Sequence, residues 1–123
     1  MSYNRPIDIE RLKEVIITGI EDKKGEDIVV LDLRQIEHSV TDFFVICHAN
    51  SNTQVNALAD SVEDTVRKTL NDKPWHTEGH GNSEWILLDY VNVVVHIFQT
   101  EMRETYDLES LWGDALIHQI TSK

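Results

Sequence analysis

The sequence predicts an α+β domain, a mixed β-sheet with helices packed on it. Two stretches with helical periodicity, Ile9 to Ile20 and Val55 to Leu70, are interspersed with short apolar runs that read as strands. Taken in order the elements read αββαβ(β)βα. Nothing in the 123 residues divides the chain: it has no internal repeat, low-complexity segment or Pro/Gly/Ser linker.

Ile9, Leu12, Val15, Ile16 and Ile20 predict a first helix reaching about Asp22, with Asp8 as its cap after Pro6. Gly25 is the expected stop, and Lys23 and Lys24 suit the C-terminal dipole. "DIVVLDL" (27–33) and "TDFFVICH" (41–48) read as buried strands joined by an irregular connection. The next helix carries the apolar stripe Val55, Leu58, Ala59, Val62, Val66, Leu70, with Asn52 or Thr53 as its cap. Pro74 cannot continue it. "WHTEGHGN" adds a short strand and a Gly-rich turn, and residues 84–89 and 93–98 form a hairpin. A last helix starts near Thr100, with Glu101 favourable at its positive end. The domain is expected to close at residue 112, leaving 113–123 as a frayed or lightly docked tail.

Composition narrows the function. Hydrophobic residues make up 41% and charged residues 27%, a globular rather than disordered balance. No apolar run approaches the roughly 18 residues that cross a bilayer, and the start resembles neither a secretory signal nor a transit peptide. The single cysteine, Cys47, permits no internal disulfide, so a reducing cytoplasm is expected. Eleven basic against 22 acidic residues give a net charge of −11. Nucleic-acid binding draws most of its affinity from Lys and Arg on phosphates, so direct contact with DNA or RNA is not expected. A basic protein is the better match.

Catalytic signatures are missing from the chain: no phosphate-binding Gly-rich loop, nucleophile elbow or H-E-x-x-H. Asp32, inside one strand run, and Asp89, ending another, are the carboxylates a metal-dependent reaction would use, but for Asp32 a strand-end or solvent-facing residue is the commoner explanation. His76 and His80, and Cys47 beside His48, do not have zinc-ligand spacing. No cofactor and no metal are expected. The hairpin "SEWILLDYVNVVVHIFQ" holds the remaining candidates. Alternation puts Trp85, Leu87 and Asp89 on one face, and Ile86, Leu88 and Tyr90 on the other. A three-residue loop, 90–92, is expected, with Asn92 accepting positive φ better than Val91 and Tyr90 at an exposed edge. Trp and Tyr anchor interfaces through area plus a polar tip, and beside a carboxylate they point to protein docking. The plain alternatives are a core tryptophan, a turn tyrosine and a satisfied core histidine at His96.

"DIVVLDL", "TDFFVICHANSNTQVNALAD", Glu78–Gly79, "WILLDY", "VVVHIF" and "RETYDLESLW" together resemble the Iojap-like ribosomal silencing factors, over about residues 7–112. The resemblance implies a fold related to nucleotidyltransferases without transferase catalytic residues. It also implies binding to ribosomal protein L-fourteen on the large subunit, blocked joining of the small subunit when nutrients are scarce, and a role in large-subunit assembly among organelle relatives. Carried over residue by residue, Trp85, Asp89, Tyr90 and His96 become the partner-binding set, and Arg103 and Tyr106 are expected to be mainly structural. The family commonly has Gly-Asp in the hairpin turn, where this chain has Val91-Asn92. Two other readings compete: a metal-dependent enzyme acting on a nucleotide through Asp32 and Asp89, and a homodimeric scaffold built on the same hairpin surface.

Overall fold

A computed structural model describes residues 8–121; residues 1–7, with Pro6 and the start of the chain, and residues 122–123 lie outside the described residues. Helix α1 (Ile9–Asp22) begins where an Asp8 carboxylate oxygen accepts the amides of Glu10 and Arg11, offsetting two of the unpaired donors of the first turn. Its end differs from expectation. Lys24, not Gly25, takes the left-handed conformation (φ 60°), while the Lys24 and Gly25 amides donate back to Glu21 and Ile20 carbonyls. That pair of bonds is a Schellman closure.

Strands β1 (Glu26–Asp32) and β2 (Phe43–Ala49) follow, joined by the irregular connection the sequence predicts. Helix α2 (Asn52–Leu70) is capped by Ser51, one residue earlier than expected, whose hydroxyl accepts the Gln54 amide at 3.1 Å. Asn71, left-handed at φ 54°, ends it. Then come β3 (His76–Glu78), β4 (Trp85–Asp89), β5 (Val93–Gln99), α3 (Thr100–Tyr106), α4 (Leu108–Leu111) and β6 (Leu116–Gln119). The last is a correction. Residues 116–119 are a hydrogen-bonded edge strand, pairing antiparallel with β1 from Asp32↔Leu116 to Val29↔Gln119, rather than a frayed tail. Their side chains are exposed, so the apolar pattern gave no burial signal there; backbone pairing holds the segment.

The sheet order is β3-β4-β5-β2-β1-β6, antiparallel except for the central pair β2·β5. Parallel neighbours require a crossover, and α2 with the β3–β4 hairpin supplies it. One face of the sheet is covered by α1 and α2: Leu12, Ile16, Ile20, Leu58, Val62 and Val66 meet Val30, Val45, Val95 and Ile97. Each such buried side chain contributes about 1.5–3 kcal/mol. The two helices cross closely at Gly19, where an added Cβ would lie 2.9 Å from the Val62 Cα. The other face has less cover. Leu108 and the part-buried Met102, Trp112 and Ala115 pack on Val29, Leu31, Phe44 and Ile46, and the β4 side lies beyond them. That asymmetry positions the candidate site.

Candidate docking face

Alternation along β4 is as predicted: Ile86 and Leu88 are fully buried beneath the helices, while Trp85, Leu87 and Asp89 are half-buried on the opposite face. Trp85 pairs across to Phe98 and stacks on it, with ring centroids 4.9 Å apart. Tyr106 from α3 lies 4.6 Å away on the same indole and is about half exposed. The indole Nε1–H donates to His96 Nδ1 at 3.1 Å. That bond fixes the His96 tautomer, since an accepting Nδ1 in a neutral ring leaves the proton on Nε2. The imidazole is 4% exposed and wedged edge-on against Phe44, and burial pushes its pKa down to about 3. His96 is therefore a neutral core residue that holds Trp85 in place. Among the described residues its Nε2 has no hydrogen-bond partner.

The other end of β4 corrects two expectations. Tyr90 is not at an exposed edge: it is 6% exposed and packs in the helix-side core. Its phenol has no partner among the described residues, and burial, followed by the nearby charges of Glu63 and Asp72, raises its pKa. Positive φ falls on Val91 (76°) rather than Asn92. The Asn92 amide donates to the Tyr90 carbonyl, a tight turn centred on Val91. What holds a β-branched residue there is Asp89, whose carboxylate accepts the Val91 amide at 2.7 Å. From the other side the Thr41 hydroxyl donates to the Val91 carbonyl at 2.9 Å. Asp89 thus works inside its own chain, and the turn turns Tyr90 inward because Tyr90 continues the Ile86–Leu88 face.

Asp32 and Asp89 do not meet. They sit on opposite faces of the sheet and on strands three spacings apart, about 14 Å. Arg34 binds both Asp32 oxygens through Nε and its terminal nitrogen, and this pairing holds the Asp32 carboxyl below its ordinary range. His76 and His80 turn to different acids, Glu78 at 2.8 Å and Glu63 at 4.0 Å. Cys47 is buried, its thiol pushed up to about 12 by burial. Among the described residues no group of three or more His, Cys, Asp and Glu is arranged to hold a metal. No helix among them is long and apolar enough to cross a membrane.

Arg103 is structural, as expected. Nine-tenths buried, it donates to the Asp27 carbonyl and to Glu109, each at 2.7 Å, and approaches His48 Nδ1 at 3.0 Å, tying α3 and α4 to β1 and β2. These groups line a polar cleft of about 380 Å³. Tyr106 packs on Trp85 and also stands about half in solvent beside it. Leu87 and Tyr106 complete an aromatic and aliphatic patch with Trp85 that sequence reasoning only half identified. Leu87 shared the predicted face, but nothing in the sequence says that α3 returns Tyr106 to it.

Comparison with known proteins gives the family and agrees with the fold. A family model described as "Ribosomal silencing factor during starvation" matches residues 6–123. The chain is 38% identical over 106 residues to the ribosomal silencing factor of Halalkalibacterium halodurans, covering 86% of this chain and 89% of that one. It is 39% identical over 102 residues to the Bacillus subtilis factor, covering 83% and 85%. A crystal structure of a Chromobacterium violaceum protein superposes with a TM-score of 0.82 at 35% identity, covering 94% of this chain and 92% of that one.

Proposed function

This chain belongs to the ribosomal silencing factor family, and from that premise we propose that it docks on the large ribosomal subunit through ribosomal protein L-fourteen and sterically prevents the small subunit from joining. The observation that carries the reading is the Trp85–Leu87–Tyr106 patch, left half-covered on one sheet face of a chain with net charge −11. An apolar, aromatic centre on an acidic body is complementary to a basic protein surface. Within the set carried over from the family, Trp85 and Asp89 face outward, His96 positions Trp85, and Tyr90 supports the turn from inside. No bond is made or broken in this reading. Occlusion acts by mass action, in the cytoplasm where ribosomal subunits exchange, and its strength follows concentration over Kd.

The competing enzyme reading is disfavoured by the distance between Asp32 and Asp89 and by the partners both already have. Titrating immobilised L-fourteen with the purified chain tests the docking step. Saturable binding that Trp85→Ala weakens on the order of 2 kcal/mol is expected. Equal capture of wild type and variant would remove the Trp85 patch from the interface.

A further inference from the structure

Resting on the proposed docking, we infer that Trp75 is a second anchor, seated at the turn end of β4, and that it enters an apolar hollow rimmed by cations on a basic protein of the large subunit. The sequence marks Trp75 only as the residue after the helix-ending Pro74. The structure places it differently. Its amide donates to the carbonyl of Asp89, the residue already opposite His76, at 2.7 Å, so its backbone is held at the start of the β3·β4 pairing while the residue is 77% exposed. A rigidly mounted, exposed indole loses little entropy on binding, and Trp is enriched among the residues that dominate interface energies.

Trp75 has apolar company. Val91, 54% exposed, follows Asp89 by two residues, and Val40, 82% exposed, precedes the Thr41 that is hydrogen-bonded to Val91. The β1–β2 connection, the β4–β5 turn and the approach to β3 therefore bring three large exposed hydrophobics to one end of the sheet. Their spread is three strand spacings, about 14 Å. Single exposed hydrophobics mean little, but three brought to one end of the sheet by separate elements offer a contact surface.

Two further facts choose the occupant. The carboxylates of Asp42 and Asp89 lie within this patch, on Asn92 and Val91 respectively, and Asp72 stands three residues before Trp75. Lys73 is the neighbouring cation in the same connection. The balance is acidic, which repels a second copy of this chain and favours a basic one. Size matters too. A stable interface needs about 800 Å² per partner, and half-buried Trp85 and Leu87 cannot supply it alone. β4 runs from one patch to the other in five residues, roughly 17 Å, so a single footprint spans both.

The test is co-sedimentation of the full chain with purified large subunits at several concentrations, using wild type, Trp75→Ser, Trp75→Phe and Asp42→Lys. Thermal melts confirm folding, which the exposed Trp75 side chain does not support. Trp75→Ser is expected to weaken binding about thirty-fold, with Trp75→Phe recovering most of it. Asp42→Lys should weaken binding against a basic protein. Tighter binding of Asp42→Lys would mean that RNA phosphate faces this end, and would overturn the inference. Wild-type affinity in folded Trp75→Ser would overturn it while leaving the docking reading intact. Failure of wild type itself to sediment with the subunits would overturn the docking reading, and this inference with it.

Discussion

The indole of Trp85 and the imidazole of His96 form one unit: Nε1 donates to Nδ1 at 3.1 Å, across the β4·β5 pair. The outer residue belongs to the proposed docking face, and the inner one holds it in place. Removing the donor while keeping an aromatic ring, Trp85→Phe, leaves a buried acceptor unpaired. Such an orphan costs about 1–3 kcal/mol. Denaturant unfolding should show that loss, and Trp85→Phe made in a His96→Leu background should show much less of it. Equal losses in the two backgrounds would mean that the bond carries no coupling.

A pH dependence follows from the same burial. His96 stays neutral in the fold down to about pH 3, whereas in the unfolded chain it titrates at about 6.5. Between those values the unfolded chain binds a proton that the folded chain refuses. Stability from this residue is complete above about pH 6.5 and falls by roughly 1.4 kcal/mol per pH unit below it. Urea midpoints measured from pH 7 to pH 4 should decline more steeply for wild type than for His96→Gln. Parallel declines would place the titration elsewhere.

The hairpin turn stores strain at Val91. A β-branched residue at φ 76° costs about 1–3 kcal/mol, and glycine gives back about 0.5–1 kcal/mol through the unfolded chain. Val91→Gly should therefore raise stability by about 1 kcal/mol in chemical denaturation. Asp89→Ala, which removes the acceptor of the Val91 amide, should lower it by a similar amount. A destabilised Val91→Gly would show that the Val91 side chain contributes more than its backbone costs.

The order of elements was legible because periodicity marks buried faces, and α1, α2, β1, β2 and the β4–β5 hairpin all bury one. β6 was not, because its four residues are all exposed and only backbone pairing places them. In the site, period-two alternation assigned Trp85 and Asp89 correctly to one face. The same alternation puts Tyr90 with Ile86 and Leu88; its loop position suggests exposure, but the structure continues the alternation inward. The role of Asp89 escaped because an Asp accepting an amide two residues on has no signature beyond its spacing. Trp75 and Tyr106 come to β4 from other elements, so only tertiary structure reveals them.

Arg103 supports the site from a distance. Its bonds to the Asp27 carbonyl and Glu109 hold α3, and with it Tyr106, against the sheet. Arg103→Ala removes a buried guanidinium from these part-buried acceptors and should cost about 1–3 kcal/mol of stability. Arg103→Lys should recover only part, since an ammonium cannot reproduce the guanidinium fork. Calorimetric melts of both variants would check this, and an unchanged Tm in Arg103→Ala would contradict it.

The central claim is occlusion of one ribosomal subunit by this chain. Purified large subunits saturated with it, mixed with small subunits and resolved on a sucrose gradient, test that claim directly. The chain is expected to co-migrate with free large subunits while the joined-ribosome peak shrinks, and the Trp85→Ala variant to restore that peak. Joined ribosomes forming at normal yield with the chain still bound to the large subunit would contradict it.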